Sequence, residues 1–464
     1  MKCEKKLSFE DCELAILRHA VDTSETIQGK QLLQNEETQK IIHIVETFLR
    51  KKKRVCYGGT AINNILPASD QFYDKNTELP DYDFFSPSAL EDAKHLADMY
   101  YSQGFTEVEA KAGMHAGTFK VFVNFIPVAD ITQTVDALYK TVLKESIKVA
   151  GIHYSPPNYL RMLMYLELSR PKGDTSRWEK VLKRLTLLNK NYPLQGKNCS
   201  EENIQRIFET ELGKNERIED TIFYTTRDSF IDQGLIFFGA MANRLYSRYM
   251  PKRVRGTFQK VPDFDVLSED PETSAVILKE RLHDAGIKKV KILKRAGVGD
   301  IVAPHYEIRI GTDTIAFIYE PLACHSYNTI RIGDRKTKVA TIDTMLSFYL
   351  AFLYAKLPYY TVNRIICMSE FLFKVQQKNR LTQKGLLRRF SIQCYGKQTT
   401  LDTMRSEKSE MYRKLKGKRG TKAYDEWFLR YIPGEVKSIR KTKKRTSRKH
   451  KKTRKRGILS RFGL

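Results

Sequence analysis

A chain of 464 residues with 81 Lys plus Arg against 54 Asp plus Glu carries a formal charge of +27, and 41% of it is apolar, with 24 Tyr and 24 Phe. That is material for two to four cored domains and excludes a disordered, collagen-like or coiled-coil chain. The most apolar long window, 340–360, is interrupted by Asp343 and Lys356, short of the roughly 18 to 20 uninterrupted apolar residues that span a bilayer.

The N-terminus, MKCEKKLSFEDCELAIL, places acids where a signal peptide needs an apolar run, so secretion is not expected. Seven scattered cysteines without a CxxC pair predict reduced thiols in an intracellular compartment. Within an N-terminal helical region, 1–53, Ile41, Ile44, Val45, Phe48 and Leu49 recur at helical spacing and end in Lys51, Lys52, Lys53 and Arg54, a basic last turn that suits the helix dipole. Val55 to Tyr57 read as a short buried strand, Gly58-Gly59 as a turn, and Thr60 to Leu66 as a helix. Pro80-Asp81-Tyr82-Asp83-Phe84-Phe85 reads as a further strand, with Ser86 and Pro87 as N-cap and first residue of a helix through Tyr101. A strand from Phe119 to Phe125 continues extended through Ile131, past Asp130. Pro156 to Leu188 reads as helical, completing a unit over 54–190.

The chain then repeats itself. IFFGAMANRLY at 236–246 mirrors VCYGGTAINNI at 55–65, PDFDVLS at 262–268 mirrors PDYDFFS at 80–86, and TKVATID at 337–343 echoes IKVAGIH at 147–153. Three similarities in one order with slowly drifting offset predict a duplicated α/β domain, the second copy over 191–436. The last segment, 437–464, holds fourteen Lys or Arg and no acid. It reads as a disordered basic arm, for RNA binding or for localisation, and leaves the rest of the chain at +13. A body of that charge suits a long polyanionic partner.

Asp81 and Asp83 flank one residue of an extended segment, so both carboxylates share a face. Hard oxygen ligands of this kind hold Mg²⁺ or Mn²⁺, with water and substrate phosphates completing the shell. Asp130, ending a strand that can lie alongside, supplies a third carboxylate, and two cations bridged by the three would activate a hydroxyl and stabilise a leaving pyrophosphate. Gly58-Gly59-Thr60 at a strand-to-helix turn would present N–H groups to a triphosphate.

In this order and spacing the motifs resemble the nucleotidyltransferase superfamily of DNA polymerase β and the poly(A) polymerases. YGGTAINNIL, PDYDFFSP with the helix EDAKHLADMYYSQGF, VADIT, and PPNYLRMLMYLELSRP resemble more closely the poly(A) polymerase catalytic subunits of large cytoplasmic DNA viruses, of poxvirus, asfarvirus or mimivirus type. The resemblance implies an α/β fold of two tandem polymerase-β-like domains with helical additions, the second degenerate. It implies Asp81 and Asp83 as ligands of both metal ions, Asp130 as the ligand nearer the primer 3′-hydroxyl, and Gly58, Gly59 and Thr60 as the nucleotide-binding turn. It implies ATP and an RNA 3′ end as substrates, location in host cytoplasm or virion, no membrane, and leaves open a processivity subunit or a homodimer. In the second copy Gly239 matches Gly58, but Ala240 and Met241 replace Gly59 and Thr60. Aligning Leu322-Ala323-Cys324 with Val128-Ala129-Asp130 puts a thiol in place of the third carboxylate, so Asp263 and Asp265 are expected to be silent. The alternatives are another nucleotidyltransferase, such as a tRNA 3′-end or small-molecule enzyme, and a catalytically dead RNA-binding module on the same fold.

Overall fold

The structure is a computed structural model that describes residues 8–74, 79–199, 216–252 and 263–434. The expected basic arm, 437–464, lies outside the described residues. Contacts gather the chain into two compact units: 1–134, 146–154 and 404–464 form one, and 135–145 and 155–403 the other. The helices Pro157–Leu168 and Trp178–Asn191, read from sequence as closing the first unit at 190, therefore group with the second. A connection of nine residues, 169–177, interrupts what had read as one helical stretch.

In the first unit, α1 (Phe9–Gln34) precedes α2 (Glu36–Lys52). The side chain of Asn35 caps α2 by accepting the Glu37 N–H, and Lys53 closes it in the left-handed region. The apolar stripe of α2 is buried as its spacing predicts, with Phe48 and Leu49 fully inside. Next come β1 (Val55–Cys56), α3 (Gly58–Ile65), β2 (Tyr82–Ser86) and α4 (Ala89–Ser102). Ser86, expected to cap α4, is instead the last residue of β2, and its hydroxyl donates to Asp92 at 2.6 Å. β3 (Val108–Ala112), β4 (Thr118–Val123), β5 (Ile126–Gln133), β6 (Ile147–Val149) and β7 (Ile152–Tyr154) follow. The extended run expected from Phe119 to Ile131 is thus a hairpin, turned at Asn124 and Phe125, both at positive φ. The chain returns near its end to add β16 (Arg430–Tyr431) at the edge, giving the order β16-β3-β4-β5-β2-β1-β7-β6.

The second unit contains β8 (Ile236–Phe238), β9 (Phe264–Leu267), β10 (Val290–Arg295), β11 (His305–Ile310), β12 (Asp313–Tyr319), β13 (His325–Ile332), β14 (Arg335–Ala340) and β15 (Cys394–Tyr395). Their order, β10-β11-β12-β9-β8-β14-β13-β15, repeats β3-β4-β5-β2-β1-β7-β6 strand for strand. Seven strands in the same order, with the same antiparallel and parallel pairings around β1 and β8, show the duplication in three dimensions.

The register corrects one detail of the repeat. Lys338 and Val339 pair with Ile236 and Phe237 as His153 and Tyr154 pair with Val55 and Cys56. Lys338 and Val339 of TKVATID therefore correspond to His153 and Tyr154 of β7, and not to Lys148 and Val149 of β6.

A second correction concerns the thiols. Cys199 is bonded to Cys367 and Cys324 to Cys394, at sequence separations of 168 and 70. Such long-range pairs are set by tertiary packing, which cysteine spacing does not reveal. Cys56 stays free and fully buried.

His325, at the start of β13, is 1% exposed, and neither ring nitrogen finds a hydrogen-bond partner among the described residues. Burial, with the Arg170 charge adding to it, pushes its pKa down to about 3. Between that value and the ordinary one near 6.5 the unfolded chain binds a proton that the folded chain refuses. Stability then rises with pH across this window and is fully present above it. His325→Leu is expected to flatten that rise by up to about 1.4 kcal/mol per pH unit, read by denaturant unfolding at pH 5, 6 and 7. Equal pH slopes in both proteins would contradict the assignment.

Candidate active site

β2 and β5 run parallel, and their register sets Asp83 directly beside Asp130. Residues in register on neighbouring strands point to one face of the sheet. The opposite face is the covered one: Phe84, the neighbour of Asp83, packs against Phe48 of α2, with ring centroids 6.0 Å apart. Along β4, Phe119, Val121 and Val123 are buried while Lys120 and Phe122 are half-exposed. The carboxylate face is therefore the open one. Asp81 lies exposed immediately before β2, two residues ahead of Asp83.

The turn expected to cradle phosphates is the first turn of α3 itself. Gly58 has φ of +74°, a left-handed conformation that side-chain-bearing residues rarely adopt, and a Cβ there would come within 2.5 Å of Asp83 Oδ2. Glycine is thus demanded twice, by backbone and by the approach of the carboxylate. Tyr57, the N-cap residue, donates its N–H to the Asp83 carbonyl at 2.9 Å and offers no side-chain cap. The first N–H groups of α3 lie at the positive end of a helix beside the carboxylates, an arrangement that favours an anion. Gly59 is buried in this turn. Thr60 is 5% exposed, and its hydroxyl donates to the Asp81 carbonyl at 2.7 Å. Its hydroxyl proton therefore braces the carboxylate loop.

Two residues of this face escaped the sequence reading. The Tyr57 ring stacks on Phe85 at 4.1 Å, and its hydroxyl lies 2.9 Å from Thr132 Oγ1. Burial first, then the charges of Asp83, Asp130 and Asp81, hold its pKa above the ordinary phenol range. Lys120, directly opposite Asp130 across the β4–β5 pair, forms an ion pair with it. The signal for Tyr57 was its place before the Gly-Gly pair; that for Lys120 was the β4 alternation, legible once the hairpin is known.

The donor set suits Mg²⁺ or Mn²⁺ in kind: hard carboxylate oxygens on one open face, with a cation, Lys120, already drawn to Asp130. Among the described residues no three His, Cys, Asp or Glu side chains form a ready-made metal cage.

The second copy is closed by aromatic rings. Gly239 repeats the positive φ of Gly58, but Asp265 stands in register with Phe317, where Asp83 has Asp130. The position of the third carboxylate thus belongs to Phe317, buried at 1% exposure, and not to Cys324, which lies beyond the end of β12 and is bonded to Cys394. Glu307 holds the place of Lys120 and is tied to Arg295 and Arg309. Phe238, in the place of Tyr57, packs on Tyr319, Phe348 and Phe352 at 5.0 to 6.4 Å between centroids. One carboxylate has gone and the open face is filled.

Residues 43–174 match the family model described as the poly(A) polymerase catalytic subunit. This segment contains every candidate residue of the first copy. The match is to this segment and not to the chain as a whole. Over 164 residues the chain is 32% identical to a protein of Acanthamoeba polyphaga mimivirus and 33% identical to one of African swine fever virus (isolate Pig/Kenya/KEN-50/1950), both assigned as poly(A) polymerase catalytic subunits. The match covers 34% of this chain and 27% and 34% of those proteins, so it spans about a third or less of the curated relatives. Among solved structures, the Megavirus polyadenylate synthase superposes with a TM-score of 0.77 over 94% of this chain and 88% of its own, at 20% identity. The family model matches within residues 43–174, whereas likeness in fold runs over 94% of the chain. No helix among the described residues is long and apolar enough to cross a membrane.

Proposed function

We propose that this protein is a template-independent polynucleotide adenylyltransferase that extends an RNA 3′ end from ATP and releases pyrophosphate. The observation that carries the reading is the register of Asp83 with Asp130 beside the Gly58 turn, inside the segment that matches the family. In this reading Asp81 and Asp83 would hold the divalent cations, and Asp130 would be the carboxylate nearer the attacking 3′-hydroxyl. Bound cations supply Lewis-acid activation of that hydroxyl and charge neutralisation at the leaving phosphate. The N–H groups of Gly58 and Gly59 take the triphosphate, which the positive end of α3 favours. Thr60 fixes the loop carrying Asp81, and Tyr57 with Phe85 forms an apolar wall that fixes the carboxylate side of the turn.

The charge of the chain favours a polymer over a small acceptor, since a groove that follows backbone phosphates needs cations. A dead RNA-binding module on this fold is disfavoured by contrast with the second copy, where loss of the third carboxylate comes with aromatic filling. Base choice is tested by incubating a labelled RNA oligonucleotide, Mg²⁺ and each NTP separately. Long products with ATP alone support adenylylation; equal use of all four NTPs, or addition of a short fixed sequence with CTP and ATP, would replace it with another nucleotidyl transfer. Repeating the assay with a processivity subunit or with protein concentration varied tests the partners.

The second copy is expected to be chemically silent. Asp265→Asn should leave the extension rate within about twofold, since no partner carboxylate shares its register. A loss matching that of Asp83→Asn, in protein with an unchanged melting temperature, would show a second working centre.

A further inference from the structure

A row of side chains crosses the open face of the first sheet through five strands. Arg430 of β16 is in register with Lys111 of β3, Lys111 with Lys120 of β4, Lys120 with Asp130 of β5, and Asp130 with Asp83 of β2. Facing partners in successive strands share a face, and neighbouring strands stand about 4.8 Å apart. The three cations therefore run away from the carboxylates in a line of about 14 Å measured between backbones. Their side chains remain open to solvent, at 39% for Lys120, 44% for Lys111 and 77% for Arg430.

Nothing in the packing of the sheet asks for this row. Like charges directly opposite each other on neighbouring strands destabilise a sheet, and Lys111 and Lys120 are such a pair. Glu109 offsets part of the cost, lying 3.6 Å from Lys111 and 3.1 Å from Arg430. Glu109 and, at Lys120, Asp130 are two carboxylates against three cations, which leaves this stretch positive by one charge. Lys111 also lies over the half-exposed Phe122 ring, at 4.1 Å from its centroid.

The order of strands says which reactant the row serves. The Gly58 turn follows β1, on one side of β2, and the cations lie on β4, β3 and β16, on the other side of β5. A triphosphate at the turn and a strand on the cations would approach the carboxylates from opposite flanks, as an in-line displacement requires. We propose that Lys120, Lys111 and Arg430 form a track for the phosphates of the last nucleotides of the RNA strand, leading its 3′-hydroxyl to Asp130. This rests on the nucleotidyl-transfer reading, because it is the carboxylates that give the row its direction. Lys120 is a positioning residue here, exchanging Asp130 for a phosphate when a cation takes the carboxylate.

The test measures binding apart from chemistry. Fluorescence anisotropy of a labelled single-stranded RNA is followed with KCl for wild type, Lys111→Gln/Arg430→Gln, and that pair with Lys120→Gln, all in chelator. The slope of log K against log salt should flatten by about 0.7 for each phosphate that is no longer neutralised. Lys51→Gln, on the helix covering the opposite face, should not flatten it. In the extension assay Lys111→Gln/Arg430→Gln should raise the KM for RNA several-fold and leave the KM for ATP unchanged.

Unchanged slopes would overturn the track, as would flattening by Lys51→Gln equal to that of the pair, which would mean bulk charge alone. A raised KM for ATP with RNA binding intact would also overturn it and give the row to the triphosphate. Should wild type add no nucleotide to any RNA, the reaction proposed above fails, while the salt slopes still decide whether the row binds the strand.

Discussion

Replacing Asp83 or Asp130 by Asn is expected to lower the rate of nucleotide addition by about 10³-fold or more, close to 4 kcal/mol in the barrier. Each substitution keeps the shape of the side chain and removes a charge that no neighbour on the open face supplies. Asp81→Asn is expected to do the same, since Asp81 stands immediately before β2, two residues ahead of Asp83, with its carbonyl held by the Thr60 hydroxyl. RNA binding measured in chelator should survive all three, because the sequence-independent phosphate term comes from cations. The decisive comparison is single-turnover addition with saturating ATP and RNA, together with a melting curve. If folded Asp130→Asn kept a large share of the rate, the carboxylate in register with Asp83 would not be part of the chemistry.

Gly58→Ala should be almost as damaging, although it removes no functional group. The left-handed backbone at φ of +74° costs an L-residue about 1 to 2 kcal/mol, and the new methyl would stand 2.5 Å from Asp83 Oδ2. Asp83, the first turn of α3, or both must move. A displacement of about 1 Å at a reacting centre costs about 10²-fold, so a loss of that size is expected with only a modest drop in melting temperature. Near wild-type single-turnover addition by Gly58→Ala would show that the turn does not set the position of the carboxylate.

The parts of this site that could be read from the sequence are those governed by local rules. Gly58 before a helix and the apolar stripe of α2 are short-range patterns, and each has its counterpart in the structure, whereas of Asp81 and Asp83 only Asp83 lies on the strand β2. The duplication was legible because glycine and the aspartate pair sit at strand ends, where few residue types are tolerated. What required the fold was register. Cys324 was matched to Asp130 through the shared Ala, yet the strand pairing gives the place to Phe317, seven residues earlier. Lys120 could not be linked to Asp130 while the hairpin at Asn124 and Phe125 read as one long strand. The pairs Cys199–Cys367 and Cys324–Cys394 join segments whose proximity only tertiary packing creates. The grouping of the helices after residue 155 with the second unit has the same origin, since an apolar helix face does not name the surface that covers it.

In the proposed reaction the open face of the first sheet transfers a nucleotidyl group from ATP to an RNA 3′-hydroxyl. Pyrophosphate release measured alongside RNA extension tests it most directly, using one RNA with a 3′-hydroxyl end and its 3′-deoxy counterpart. One pyrophosphate per nucleotide added is expected with the hydroxyl-ended strand, none with the 3′-deoxy strand, and none from Asp83→Asn with either. Pyrophosphate released at equal rates with both ends, or extension undiminished in Asp83→Asn, would contradict it.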